Sequence, residues 1–547
     1  MTDSLDPVSN FEPLVEQAPG QRPKHGPVMK ATPALSASAD LDITIEEGPW
    51  RDTARSPEQR AELLVEQLTL DEKLLMIRGF NGGFLEGRSE DPLIGPMLRM
   101  IAGYVPGVPR LGIPAQHEND STLGVGNGFD CFEARPGDEA TAMPSGLAVS
   151  STFEPELAAE HGRVVGVEQR ARGVNVVLGP GLNLARDPRG GRNFEYVGGE
   201  DPLLAGVLAG ELASGIQSQG LIATLKHFVA HGFSWESHAT DVLIGEAALR
   251  ESDLLAFEIA IARANPGAVM ASYHWVNGER SCHHDLLNNR ILKGDWGWRG
   301  YVMSDWGAVH GTVGAINGGL DSESAWTWDG KPYFDPEVIK IALANGEISA
   351  ARLDDMARRI LWAMLSTGVY DNPPEPGGVG QIDRDAHVAV ARRIAERGTV
   401  LLRNIDDLLP LEPGVAGIAV IGGHADVGVL AGGGSSAVRP YGGFVKIDAE
   451  VPTFDQDWDL FVPGSIVEAI ADRVDRRDVR WADGTDLAHA ARMAREAEIA
   501  IVVVNQPNTE GRDAATLSLP DDQDALVRAV AEVNPKTVVL LQTGNPV

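Results

Sequence analysis

The chain has 547 residues, a length that fits about three to four domains, or one large barrel with companions. Asp plus Glu number 78 against 46 Lys plus Arg, for a net charge of −32. A field of that sign repels phosphate backbones and anionic lipid heads, which sets nucleic acid and membrane surfaces aside as partners. Hydrophobic residues make up 43% of the chain, enough to build sizeable cores and too many for a disordered polymer. The two cysteines, Cys131 and Cys282, form no disulfide framework and no C-x-x-C motif.

Residues 1–55 read as an extended lead, polar and proline-rich, without the apolar run of a signal peptide. No stretch of 18 apolar residues is present, so no membrane-spanning helix is expected, and the reading is cytoplasmic with export by an unrecognised route left open. Ser56-Pro57-Glu58 caps a first helix that continues with Ala61, Leu64, Val65 and Leu68 at helical spacing. Thr69-Leu70-Asp71-Glu72 starts a second helix in the same way. Short apolar runs at 174–178, 221–225, 268–272 and 301–304 then read as buried strands, with helices over 205–219 and 246–264 between them. Repeated βα units over residues 56–371 predict an α/β fold of the (β/α)8 TIM-barrel type, since an open doubly wound sheet would be unusually long.

Residues 372–395 form a linker that opens with Asn372-Pro373-Pro374-Glu375-Pro376-Gly377-Gly378. Beyond it, residues 396–547 resume the βα rhythm with strands at 417–422, 499–505 and 537–542. The last is expected to be a buried strand with no closing helix after it. The second domain therefore reads as an incomplete α/β sandwich, and the chain as a fragment of a longer protein.

In a barrel, polar residues at the C-terminal strand ends converge on one cavity. Asp305-Trp306 follows the strand at 301–304, Lys226-His227 the strand at 221–225, and Tyr273-His274 the strand at 268–272. Asp120 and the run Arg186-Asp187-Pro188-Arg189-Gly190-Gly191-Arg192-Asn193 occupy further loops of that type. A carboxylate beside an indole suits a sugar site, because it can attack a positive anomeric carbon while the ring packs on a sugar face. Lys and Arg offer donors to hydroxyls and keep a neighbouring carboxylate ionised. The competing reading of each residue taken alone is a buried structural ion pair.

Val302-Met303-Ser304-Asp305-Trp306, Lys226-His227-Phe228 and the 186–195 run resemble glycoside hydrolase family 3. The likeness extends to Leu401-Leu402-Arg403-Asn404 and Gly433-Gly434-Ser435-Ser436 and covers the chain from about residue 57 onward. The resemblance implies a retaining, exo-acting β-glucosidase that needs no cofactor and no metal. Asp305 would be its nucleophile. Asp120, Arg192, Lys226 and His227 would bind sugar hydroxyls, with Tyr273 and Trp306 lining the pocket. Arg186 and Asp187 would support their loop. The partner implied is a carbohydrate or glycoside, and a homo-oligomer is allowed by a sequence that does not fix the oligomeric state.

The acid/base of such enzymes resembles Glu510, in Glu510-Gly511-Arg512-Asp513. The family's usual Arg after that Asp is Ala514 here, which questions how the loop is anchored. A rival acid lies in His231-Gly232-Phe233-Ser234-Trp235-Glu236-Ser237-His238, similar to the loop of the family's β-N-acetylglucosaminidases, where a Glu236/His238 dyad would protonate the leaving group. A barrel that binds carbohydrate without catalysis is a further alternative, and the presence of Asp305 and Lys226 argues against it. His227 and His231 could share a helix face as metal ligands, but Phe228 stands where a zinc protease needs Glu. His283-His284 reads as a solvated turn, and Trp296, Trp298, Trp306, Trp326 and Trp328 as a cluster suited in part to sugar stacking.

Overall fold

The structure, a computed structural model, describes residues 45–81, 101–120, 122–126, 138–324, 333–412, 414–415, 417–447 and 460–547. Most of the N-terminal lead, Cys131, Trp326 and Trp328 lie outside the described residues.

Seven strands form one sheet: β1 (Phe80–Asn81), β2 (Gly103–Val105), β3 (Gln116–Asp120), β4 (Val176–Leu178), β5 (Ile222–Phe228), β6 (Ala268–Ala271) and β7 (Tyr301–Ser304), hydrogen-bonded in that order. From β3 to β7 neighbours run parallel, whereas β2 is antiparallel to both β1 and β3. The reversal departs from a uniform βα repeat. Residues 106–115 alone join β2 to β3, and a parallel crossover needs a dozen or more. Segment 322–323 closes the ring: Ser304 N donates to Ser322 O (3.0 Å) and Gly79 N to Glu323 O (2.7 Å). Isolated parallel bridges pair Met303 with Ser322 and Arg78 with Glu323, so the curled sheet meets itself as a barrel.

The staves from β4 to β7 are buried throughout, as apolar strands covered by helices should be. Helices Pro155–Arg170, Pro202–Gln217 and Asp253–Ala264 pack side by side around the outside. The single helix predicted over 246–264 is in fact two, Glu246–Glu251 and Asp253–Ala264, broken at Ser252 (φ −128°, ψ −95°). A tertiary contact overrides the periodicity there. Arg186 Nη2 donates to Ser252 Oγ (2.6 Å) and Arg186 Nε to Asp253 Oδ2 (2.9 Å). Trp298 belongs to the barrel core, its indole N–H donating to Pro266 O at 2.8 Å, so it is no sugar platform.

Much of the linker stretch is helical, Arg384–Gly398, capped by Asp383 on Ala386 N at 3.1 Å. The second domain holds four parallel strands, β8 (Ile418–Ile421), β9 (Val479–Ala482), β10 (Ile499–Gln506) and β11 (Thr537–Thr543), in the order β9-β8-β10-β11. Helices Leu487–Glu496 and Gln523–Ala531 cover one face through Ala490, Met493, Ala494, Leu526 and Val530. The expectation of a buried final strand is corrected: in β11, Val539 and Leu541 are 39% and 42% exposed. β11 lies at the sheet edge, paired only with β10 among the described residues. A wide cleft of about 1730 Å³ runs beside it, lined in part by Leu401, Leu402, Val539 and Leu541.

Candidate active site

Asp120, Arg192, Lys226, His227, Asp305 and Glu510 gather where the barrel meets the second domain, and none of them lines that wide cleft. β5 runs further than predicted, so Lys226 and His227 lie within the strand rather than after its end. The Asn183 side chain brackets this strand end. Its Oδ1 accepts from His227 N at 2.7 Å and its Nδ2 donates to His227 O at 2.8 Å. Lys226 Nζ lies 3.3 Å from Asp120 Oδ1 at the end of β3. The His227 ring meets Tyr196 OH at 3.2 Å through Nδ1, and its Nε2 lies 3.4 Å from Asp305 Oδ2. Burial, and the nearby cations of Arg192 and Lys226, push the His227 pKa well below the ordinary imidazole value, which makes the ring neutral at pH 7.

Asp305 sits just past β7 and is 6% exposed. Its Oδ1 accepts from Trp306 N at 2.8 Å, while Oδ2 is buried with no well-formed hydrogen bond. Burial raises its pKa to about 6; Arg192 opposes the rise, Glu510 adds to it, and the Tyr273 hydroxyl and Lys226 oppose it further. Trp306 packs over β2, close to Gly103.

Glu510 arrives from the second domain, on the loop after β10. Its Oε1 accepts from Arg192 Nη1 at 2.7 Å, and its Oε2 from Ser435 N (2.8 Å) and Ser435 Oγ (2.6 Å). Burial works against ionisation here, yet Arg192 and the Ser435 donors prevail and hold the carboxyl below its ordinary pKa. Arg192 is fixed in turn by buried Glu195, whose second oxygen accepts from Ser436 Oγ. The Gly434 backbone is left-handed (φ +92°), and a Cβ there would come within 2.4 Å of Glu510 Cβ, so the glycine admits the glutamate.

Asp120, Arg192, Lys226, His227, Tyr273, Asp305, Trp306 and Glu510 thus share one region. Sequence reasoning passed over Asn183, quoted Glu195 and Asp513 within motifs without giving them a role, and gave Ser435 and Ser436 none either. The two serines and Glu195 stood within quoted motifs, and a Glu three residues from an Arg is the one local signal that paired them. Arg186 and Asp187 support the loop as expected; the Asp187 carboxylate accepts from Arg189 Nη2 at 2.8 Å.

His227 and His231 do not share a helix face. Their rings lie 4.7 Å apart between β5 and the following loop, and His274 is 4.5 Å beyond His231. Among the described residues no group of three or more His, Cys, Asp and Glu side chains is arranged to hold a metal. His284 is buried, with Nε2 3.2 Å from Val276 O, which corrects the solvated-turn reading of His283-His284. Glu236 is exposed on its loop, and the His238 ring lies 4.3 Å from that of Tyr273.

Two family profiles match the chain: Glycosyl hydrolase family 3 N terminal domain over residues 108–363 and Glycosyl hydrolase family 3 C-terminal domain over residues 399–547. Thermostable beta-glucosidase B of Acetivibrio thermocellus is 32% identical over 487 residues, 88% of this chain and 60% of that protein. An exo-alpha-(1->6)-L-arabinopyranosidase of Bifidobacterium longum is 33% identical over 467 residues, 81% of this chain and 58% of its own length. The solved structure of beta-glucosidase 3B from Thermotoga neapolitana in complex with glucose superposes with a TM-score of 0.74 at 28% identity, covering 89% of this chain and 69% of that one. The chain therefore spans about 60% of the length of these curated relatives.

Proposed function

Because this chain belongs to glycoside hydrolase family 3, we propose that it is a retaining, exo-acting β-glycosidase, and specifically a β-glucosidase. The observation that carries the reading is the meeting of Asp305 and Glu510, carboxylates from two domains, around Arg192. Asp305 acts as nucleophile: Oδ2, which accepts no well-formed hydrogen bond, attacks the anomeric carbon as the glycosidic bond breaks. Glu510 transfers its proton to the departing oxygen, then takes a proton from the water that releases the sugar from Asp305. Asp120, Lys226, Arg192 and neutral His227 bind hydroxyls of the terminal sugar, and Tyr273 and Trp306 line its pocket. Since Arg192 holds Glu510 ionised, donation requires that ion pair to loosen as the sugar takes up Arg192.

Glucose is the terminal sugar proposed, in line with the beta-glucosidases among the relatives. The Glu236/His238 dyad is the weaker acid, since Glu236 faces solvent while Glu510 shares the cleft with Asp305. Initial rates on aryl β-glucoside, aryl α-L-arabinopyranoside and aryl β-N-acetylglucosaminide test the reading, with Asp305→Asn as control. The expected result is glucoside cleavage that falls by on the order of 10³-fold or more in the control. Preference for the arabinoside changes the sugar, and preference for the acetamido sugar moves the acid to His238. Binding without cleavage of any of the three leaves a carbohydrate-binding protein.

A further inference from the structure

The loop that carries Glu510 lacks the arginine the family resemblance anticipates after Asp513, yet it is fastened at several points. Thr509 and Arg512 pair across a tight turn that leaves Glu510 and Gly511 at its tip. Asp513 stands immediately beyond that turn. Its Oδ1 accepts from Gly191 N at 2.7 Å and Ser234 N at 2.9 Å, and its Oδ2 from Trp235 N at 2.8 Å and Ser234 N at 3.1 Å. One second-domain carboxylate thus takes backbone N–H groups from two separate barrel loops.

The neighbouring contacts repeat the design. Ala514 N donates to Arg189 O at 2.8 Å. A Cβ on Gly191 would lie 2.0 Å from Arg512 O and 2.5 Å from Thr509 O, so the two backbones touch where glycine alone fits. Gly191 also directly precedes Arg192, the residue that grips Glu510. Loop 187–192 therefore meets the turn at both ends, through Asp513 at one and Glu510 at the other.

We propose that Asp513 is the positioning residue for the acid/base, fixing how far Glu510 stands from the glycosidic oxygen by clamping its turn to the barrel. The proposal rests on the reading of Glu510 as the acid/base. Charge-assisted hydrogen bonds from several backbone donors are strong and directional, and a misplacement of about 1 Å can cost about 10²-fold in rate.

The test separates positioning from mere cohesion by the leaving group. Phenyl β-glucoside needs a proton from Glu510 to depart, whereas 2,4-dinitrophenyl β-glucoside leaves with little help. Asp513→Ala is expected to lower kcat/KM about 10²-fold on the phenyl glucoside and to leave it nearly unchanged on the dinitrophenyl glucoside. On the latter, hydrolysis of the glycosyl-Asp305 ester becomes limiting for want of a placed base. Added azide, which needs no base, then attacks the anomeric carbon, expels the Asp305 carboxylate and restores turnover with β-glucosyl azide as product. Asp513→Asn, which keeps the volume and one acceptor oxygen, gives the same pattern at smaller size and carries the test where the alanine variant does not fold. An equal loss on both substrates without azide rescue, or no loss on either, overturns the proposal. Glu510→Ala run in parallel guards the premise: if it lacks the leaving-group dependence and azide rescue, the assignment of Glu510 fails, whatever Asp513 does.

Discussion

Asp305 and Glu510 titrate against each other, and their directions are opposite to the roles proposed for them. Burial first, then Glu510, raises Asp305 to about 6, while Arg192 and Ser435 keep Glu510 below the ordinary carboxylate value. The proposed mechanism needs Asp305 ionised and Glu510 protonated. The kinetic limbs belong to the pair, not to either residue alone. kcat/KM should therefore rise as pH climbs through the lower constant and fall as pH passes about 6. Ser435→Ala removes the hydroxyl donor at 2.6 Å and should move the acidic limb upward, leaving the basic limb in place. A shift of the basic limb instead would assign the higher constant to Glu510. Asp305, Lys226, His227, Arg192 and Glu510 were legible because each stood in an ordered motif beside a strand end. Asn183 was not, and Asp513 was visible only as a motif letter without its partners, since both bind backbone groups distant in sequence and no side-chain pattern encodes such bonds.

Strands that are apolar and buried on both faces, as in 268–272 and 301–304, could be read almost to the residue. The misses share one cause, tertiary contact. The pattern over 246–264 is helical throughout, and it breaks only because Arg186 draws Ser252 and Asp253 aside. The reversed β2 is too short for its alternation to be seen, and the edge position of β11 depends on strands far off in the chain. Caps were the clearest local signal. Ser56 and Thr69 close capping boxes with Gln59 and Glu72. Asp201 caps the helix Pro202–Gln217 through Leu203 N at 2.8 Å. Asp201→Ala should destabilise the chain by about 1 kcal/mol, read by denaturant titration. Its kcat should be unchanged, since the cap belongs to the outer ring of helices.

At the scale of the molecule, the proposed function gives the barrel the sugar to hold and the second domain one side chain, Glu510, to deliver. Arg60 fixes the start of the barrel to its end with two bonds to Asp371, of 2.8 and 2.6 Å. The chain then passes through residues 371–377, which are exposed apart from Pro374. The two carboxylates lie on opposite sides of this connection along the chain, and contacts such as Arg192 with Glu510 and Gly191 N with Asp513 join their domains in space. Cleavage at a protease site introduced at Glu375 would leave both halves intact and remove only the link. Activity per enzyme should then fall on dilution, with a midpoint that reports the dissociation constant of the interface. Loss at every concentration, or none at the lowest, would contradict this. In the uncut chain the second domain is a tethered ligand of the barrel, at an effective concentration on the order of mM for a short linker. The fraction of molecules with Glu510 beside Asp305 is then a point on a binding isotherm, set by the tether as much as by the contacts.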